Sequence, residues 1–170
     1  SYIMDNFQQV GREGELLVRG NVTDEQILVW LESANRNASQ QDAVFTLPNG
    51  APDVRSPLSS VRDDGFIVTS SEQVVGDDET PTENVSGLFD AARERSPSAP
   101  LLFYREAGEY EALRMEVSIA GDASQSEAAA DLRTIATHLE TVSDGQLDVV
   151  ATGDIVTNAE IEENLFDTVV

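Results

Sequence analysis

The strongest constraint in this chain is a change of period within its last third. From Leu113 to Ile119 apolar and polar residues alternate strictly, with Leu113, Met115, Val117 and Ile119 set against Arg114, Glu116 and Ser118. A period of two sends successive side chains to opposite faces of a strand, so this strand is half buried with one face wet. Beyond it the period becomes helical. Ala128, Leu132, Ile135, Ala136, Leu139 and Val142 fall on one stripe, opened by the capping box Ser124-Gln125-Ser126-Glu127 and stopped at Asp144-Gly145. Gln146 to Ala151 then reads as another strand. A sheet face and a helix stripe of this kind must bury each other, which predicts helices on one face of a sheet.

The rest of the chain extends the pattern. Gly14 to Gly20 reads as a strand with Leu16 and Val18 on one face and Leu17 and Arg19 on the other. Thr23-Asp24-Glu25-Gln26 has the form of a second capping box, with Thr23 as N-cap, and the helix after it carries Ile27, Trp30, Leu31, Ala34 and Ala38 at three- and four-residue spacing. Ala43 to Leu47 is predicted as a short strand stopped by Pro48-Asn49-Gly50. A less regular segment, about 52–80, contains a short helix around Pro57–Arg62 and the apolar run Phe66-Ile67-Val68. Thr80-Pro81-Thr82-Glu83 predicts another helix start, with Thr80 as N-cap, an apolar face of Val85, Leu88, Phe89 and Ala92, and an end at Ser96-Pro97. Leu101 to Arg105 is a strand that Glu106-Ala107-Gly108-Glu109 turns back into the alternating one. With the middle segment set aside the order is βαββαβ. That predicts an α+β fold: a ferredoxin-like, split βαβ antiparallel sheet with helices on one face and an inserted segment at about 52–80. The expected domain covers 1–156. Thr157-Asn158-Ala159-Glu160 caps a separate C-terminal helix, 157–170, with Ile161, Leu165 and Val169 in line.

Charge narrows the function. The 170 residues carry 32 acids and 10 bases, a net charge of −22. Every base is an arginine, and lysine and cysteine are absent. Binding to nucleic acid or anionic lipid by phosphate neutralisation needs clustered Lys and Arg, so neither partner is expected. Without cysteine there is no disulfide framework, thiol nucleophile or zinc finger. Forty per cent hydrophobic residues in periodic stretches argues against disorder. The composition resembles that of salt-adapted proteins: at molar ionic strength the Debye length is roughly 3 Å, and crowded surface carboxylates repel weakly.

No residue is singled out as catalytic, cofactor-binding or metal-ligating. Asp63 to Ala92 holds eight acids and no base, and within it Asp77-Asp78-Glu79 offers ligands for a hard cation, but the EF-hand spacing is absent and a solvated acidic loop explains it. His138, the single histidine, falls at the edge of the apolar stripe with no serine or acid partner signalled. Gly11-Arg12-Glu13-Gly14 is too short for a phosphate loop. Trp30 sits one position off the core stripe and reads as core packing. Three sequons, at Asn21, Asn37 and Asn84, lend slight support to a surface outside the cell.

The closing residues carry a resemblance. A capped helix (Ala123–Ser143) leads through Asp144-Gly145 to Leu147-Asp148-Val149-Val150-Ala151-Thr152-Gly153, then Ile155-Val156 and a new helix from Asn158. This is similar to the segment closing the extracellular porter domain of exporters of the resistance–nodulation–division superfamily, of the patched-like kind. Glu15 to Asp24 with Leu28 and Trp30-Leu31 resembles the opening of such domains, and Val85–Arg95 with the hairpin Leu101–Ile119 resembles their middle. The likeness covers about 10–170, with 63–80 least matched. It implies a non-enzymatic domain on the outer face of the cytoplasmic membrane, between the first and second spans of each half of the exporter. Its partners would be the transmembrane helices, a sister extracellular domain and a hydrophobic or amphiphilic substrate, and the sequence leaves both monomer and oligomer open. The membrane part would harvest an ion gradient. On this reading the chain is an excised piece, and helix 157–170 leads into a missing span. The alternative is a free-standing ferredoxin-like binding or regulatory module of a halophile. No cofactor is implied by either.

Overall fold

Strand β1 (Arg12–Gly20) is the axis of the architecture, since both of its edges are paired. A computed structural model of the chain describes residues 12–63, 65, 67–68, 74–75, 84–95 and 99–152. After β1 come α1 (Ile27–Ala38), β2 (Val54–Arg55), α2 (Pro57–Asp63), β3 (Ile67–Val68), β4 (Val74–Val75) and α3 (Val85–Arg95). A turn of 3₁₀ helix (Ala99–Leu102) leads to β5 (Phe103–Glu106), β6 (Glu109–Ile119), α4 (Gln125–Val142) and β7 (Leu147–Thr152). The fold is α+β, with a five-stranded antiparallel open sheet and, among the described residues, four α-helices. β1 pairs with β7 on one side and β6 on the other. The far edge of β6 is shared: β5 takes its first half, and β2 pairs Val54 with Val117 and Arg55 with Glu116. β3 and β4 form a separate two-stranded ribbon.

The alternating pattern settles which face of the sheet is dry. Leu16 and Val18 of β1 and Leu113, Met115, Val117 and Ile119 of β6 are fully buried. They meet Ile27, Leu28 and Leu31 of α1 and Leu132, Ile135 and Leu139 of α4, all equally buried. Each such side chain contributes about 1.5–3 kcal/mol of transfer free energy. Gly14 permits the close approach of α4, because a Cβ there would overlap the Leu132 side chain. Trp30 belongs to this core, as its sequence position predicts.

The second core lobe comes from the β5–β6 hairpin. Ala107 and Gly108 both have positive φ, 54° and 83°, which is the two-residue turn that suits strand twist. The pairing register shifts between Tyr104 and Arg105. That bulge re-aims Tyr110 inward, where its ring lies 5.3 Å from Phe89 and 5.7 Å from Phe103.

α4 begins as its sequence predicts. The Ser124 Oγ accepts the Glu127 N–H at 3.1 Å, and the Glu127 carboxylate accepts the Ser124 N–H at 3.3 Å. It ends where Asp144 and Gly145 take positive φ. The buried stripe stops at Leu139, however: Val142 is exposed, while the next residue, Ser143, is buried and accepts the Leu147 N–H at 3.2 Å.

Three sequence expectations are corrected. The Thr23–Gln26 capping box does not form: α1 starts at Ile27, with Gln26 at the N-cap position and no side-chain cap. Asp24 competes successfully, since its Oδ1 accepts the Gln26 N–H at 2.8 Å while its Oδ2 accepts from Asn21. Helix α3 starts at Val85, later than the sequence predicts, and Asn84 caps it by accepting the Gly87 N–H at 3.1 Å. Ala43–Leu47 makes only isolated bridges, Val44 to Ile119 and Thr46 to Pro52. Ser118 accepts from the Phe45 N–H and donates its own N–H to Asp53, so the edge position is split between two passes of the chain.

The expected cap residues 80–83, the acids Asp77-Asp78-Glu79, Phe66, Gly153 and the C-terminal helix 157–170 lie outside the described residues. Among the described residues no helix is long and apolar enough to cross a membrane.

Candidate functional site

The helices cover one face of the sheet, and among the described residues the other face has no layer upon it. Strand alternation decides what it presents. The register sets Leu17 of β1 opposite Arg114 of β6 and Val150 of β7, and sets Arg19 opposite Ala112 and Asp148. Neighbouring outward positions hold Glu15 and Glu116.

This face has two halves. Toward the β2 edge it is a ladder of ion pairs. Arg114 reaches Glu15 at 3.1 Å and Glu116 at 3.9 Å, while Arg55 pairs with Glu116 and reaches Glu13 at 3.4 Å. Glu116, with its side chain only 10% exposed, is the hinge of the ladder. Toward the β5 edge the face is more apolar. A groove of about 430 Å³ is lined by Leu17, Arg19, Tyr104, Glu111 and Ala112. Tyr104 and Val150 are 45% and 46% exposed. An apolar floor with Arg19 and Glu111 at its rim suits a molecule that has an apolar body and a polar end. Sequence reasoning did not single out this groove. The signal was present in the wet positions of the alternating strands, where Leu17, Ala112 and Val150 stand in place of the expected charges.

The sequence candidates fall elsewhere. His138 gains a partner that its sequence neighbourhood does not reveal: the Ser33 Oγ, on α1, lies 2.8 Å from its Nε2. No acid completes the pair among the described hydrogen bonds, and Ser33 sits within a helix, so the arrangement lacks the third group that orients a nucleophile's base. The three sequon asparagines each hold a structural hydrogen bond. Asn21 donates to Asp24 and Gln146, Asn37 accepts from Gln41, and Asn84 caps α3. Among the described residues no group of three or more His, Asp or Glu is arranged to hold a metal. One buried titratable group is perturbed. Burial, together with a 2.5 Å hydrogen bond donated to Asp90, raises the pKa of Tyr110 above the usual phenol value. Arg105 lies over its ring at 5.2 Å. Compared with known protein families, characterised proteins and solved structures, the chain matches none.

Proposed function

We propose that this chain is an extracellular porter-type domain of a resistance–nodulation–division exporter, without enzymatic activity. Its bare sheet face would guide hydrophobic or amphiphilic molecules, and would meet a sister domain and the membrane helices of the same transporter. One observation supports this most: an exposed sheet face that combines an apolar groove at Leu17, Ala112 and Tyr104 with a ladder of ion pairs alongside. A ferredoxin-like topology fits the same reading. The strand order is β7-β1-β6, with β2 and β5 sharing the next position. On each side a helix joins two strands that have another strand between them: α1 between β1 and β2, and α4 between β6 and β7. The acidic surface is read as adaptation to brine, so the stability of the domain rises with sodium chloride into the molar range, as checked by denaturant titration at several salt concentrations.

The test uses the parent gene. The coding sequence around this segment is expected to supply an apolar stretch of about 20 residues on at least one side. Cells making the intact parent should accumulate less of a fluorescent amphiphile, and Leu17→Asp should raise the accumulation while leaving the amount of protein in the membrane unchanged. Absence of flanking spans would replace this reading with that of a free-standing ferredoxin-like binding module.

A further inference from the structure

Strand β7 ends the sheet on one side, and among the described residues no strand pairs with its outer edge. Backbone groups alternate along a strand, so every second residue of β7 turns its N–H and C=O away from β1. Leu147 and Val149 are two of these, and by the same alternation Ala151 is the third. Such a row is a template for another strand. Here part of it is already taken. The Leu147 N–H is donated to the Ser143 Oγ at 3.2 Å, and the Val149 N–H to the Glu140 carboxylate at 3.1 Å. Both acceptors come from the C-terminal end of α4, where Ser143 is the C-cap residue.

β7 needs a guard from elsewhere because it carries none of its own. Lysine and proline commonly blunt an edge, and Leu147-Asp148-Val149-Val150-Ala151-Thr152 holds neither. The strand is also complementary to itself. A two-fold axis at Val149 sets Val149 against Val149, Leu147 against Ala151 and Asp148 against Val150, so no like charges are opposed across the pairing. The central pair of that arrangement requires the Val149 N–H, which is the group that Glu140 occupies. The axis would also bring the Glu140 carboxylates of both copies to the same place, where like charges repel.

We propose that Glu140 locks a latent self-association edge: with its carboxylate in place β7 is closed to a second copy of this chain, and without it two copies join β7 to β7 in one continuous antiparallel sheet. The net charge of −22 is not the guard. In molar salt the Debye length of roughly 3 Å screens repulsion between whole surfaces, and a block must then act at contact distance. Glu140 does so, by filling a hydrogen-bond position that the incoming strand needs. The lock concerns the edge of the sheet rather than its bare face, and it stands whether or not the domain belongs to an exporter.

The test compares the full chain with Glu140→Ala by sedimentation velocity over a dilution series, in a constant background of molar sodium chloride. Glu140→Ala should tighten self-association about tenfold or more relative to the wild type. Amide hydrogen exchange in the variant should slow at Ala151 as the concentration rises, because that N–H becomes bonded across the new junction. Ala151→Pro removes the same outward donor, at an edge position where proline is tolerated, and in the Glu140→Ala background it should return self-association to the wild-type level. Hydrogen exchange in the wild type serves even if Glu140→Ala fails to fold: the Val149 amide should exchange slowly and the Ala151 amide fast. Unchanged self-association in folded Glu140→Ala would overturn the proposal. So would association that Ala151→Pro leaves untouched, a wild type already paired through β7, or fast exchange at Val149.

Discussion

The two faces of the sheet are built from the same strands, residue by residue in alternation, yet they obey different rules. The inner face is made of Leu16, Val18, Leu113, Met115, Val117 and Ile119, all fully buried. On the outer face Arg114 and Glu116 stand between those same buried neighbours and pair with Glu15 and Arg55. Inside, shape decides the energy, because a close-packed interior has nowhere to hide a missing methylene. Outside, charge and exposure decide it, and solvent forgives most changes. The contrast implies that most of the stability resides on the inner face.

The comparison can be broken by mutation, beginning with the largest effect. Leu113→Ala, on the inner face, should cost about 2–5 kcal/mol in denaturant unfolding. A cost below about 1 kcal/mol would mean that the inner face is loosely packed. Glu116→Ala, on the outer face, should cost about 1–2 kcal/mol, because the removed carboxylate is nearly buried and serves two arginines. Glu13→Ala, at the exposed end of the ladder, should cost less than about 0.5 kcal/mol. Equal costs for Glu116 and Glu13 would contradict the idea that burial sets the worth of the ladder. Ser124→Ala should cost about 1 kcal/mol, since it opens a formed capping box, whereas Thr23→Ala should stay within about 0.5 kcal/mol. Thermal denaturation of the two variants side by side checks this.

The smallest effect appears only in alkali. Tyr110 is buried on the inner side, and burial is the first cause of its raised pKa, ahead of Asp90. Its protonated form is therefore the one the fold prefers. The stabilisation from this preference is fully present below the ordinary phenol value of 10.0 and is lost as the pH climbs from there through the folded value. Tyr110→Phe should flatten the loss of stability above that pH, as followed by urea titrations at increasing pH. An unchanged alkaline slope would show that the ring is not sealed from water.

Much of the fold was legible because the residues that build it act locally or periodically. β6 announces itself by alternation, α4 by its stripe and its capping box, and the hairpin by Ala107-Gly108 between two strands. Competition was harder to read. Thr23 and Asp24 both suit the approach to α1, and only the finished turn, tied to Gln146 through Asn21, favours Asp24. Val142 continues the stripe in sequence, but at the helix end it is Ser143 that turns inward, where it accepts the Leu147 N–H. The split edge of β6 was illegible for a similar reason, since it depends on Phe45 and Asp53 meeting the same residue, Ser118. The candidate surfaces were the least visible. Ser33 and His138 are 105 positions apart, and no local pattern links them. The sheet-face groove could have been found only by asking why Leu17 and Val150 occupy wet positions.

The central place of β1 has a consequence for how the chain reaches its native state. β1 is the first described strand, yet Leu16 pairs with Met115 on one side and Ala151 on the other. Until the last third of the chain is present, its backbone lacks both of the strands it pairs with. The sheet cannot grow outward from its own beginning, and its long closures must be made before contacts reward them. Refolding should accordingly run over milliseconds to seconds, as is usual for non-local β pairing, rather than at the pace of a helical bundle. During synthesis the half-made domain waits with its central strand open. That interval is when aggregation, or a helper that prevents it, has its opportunity.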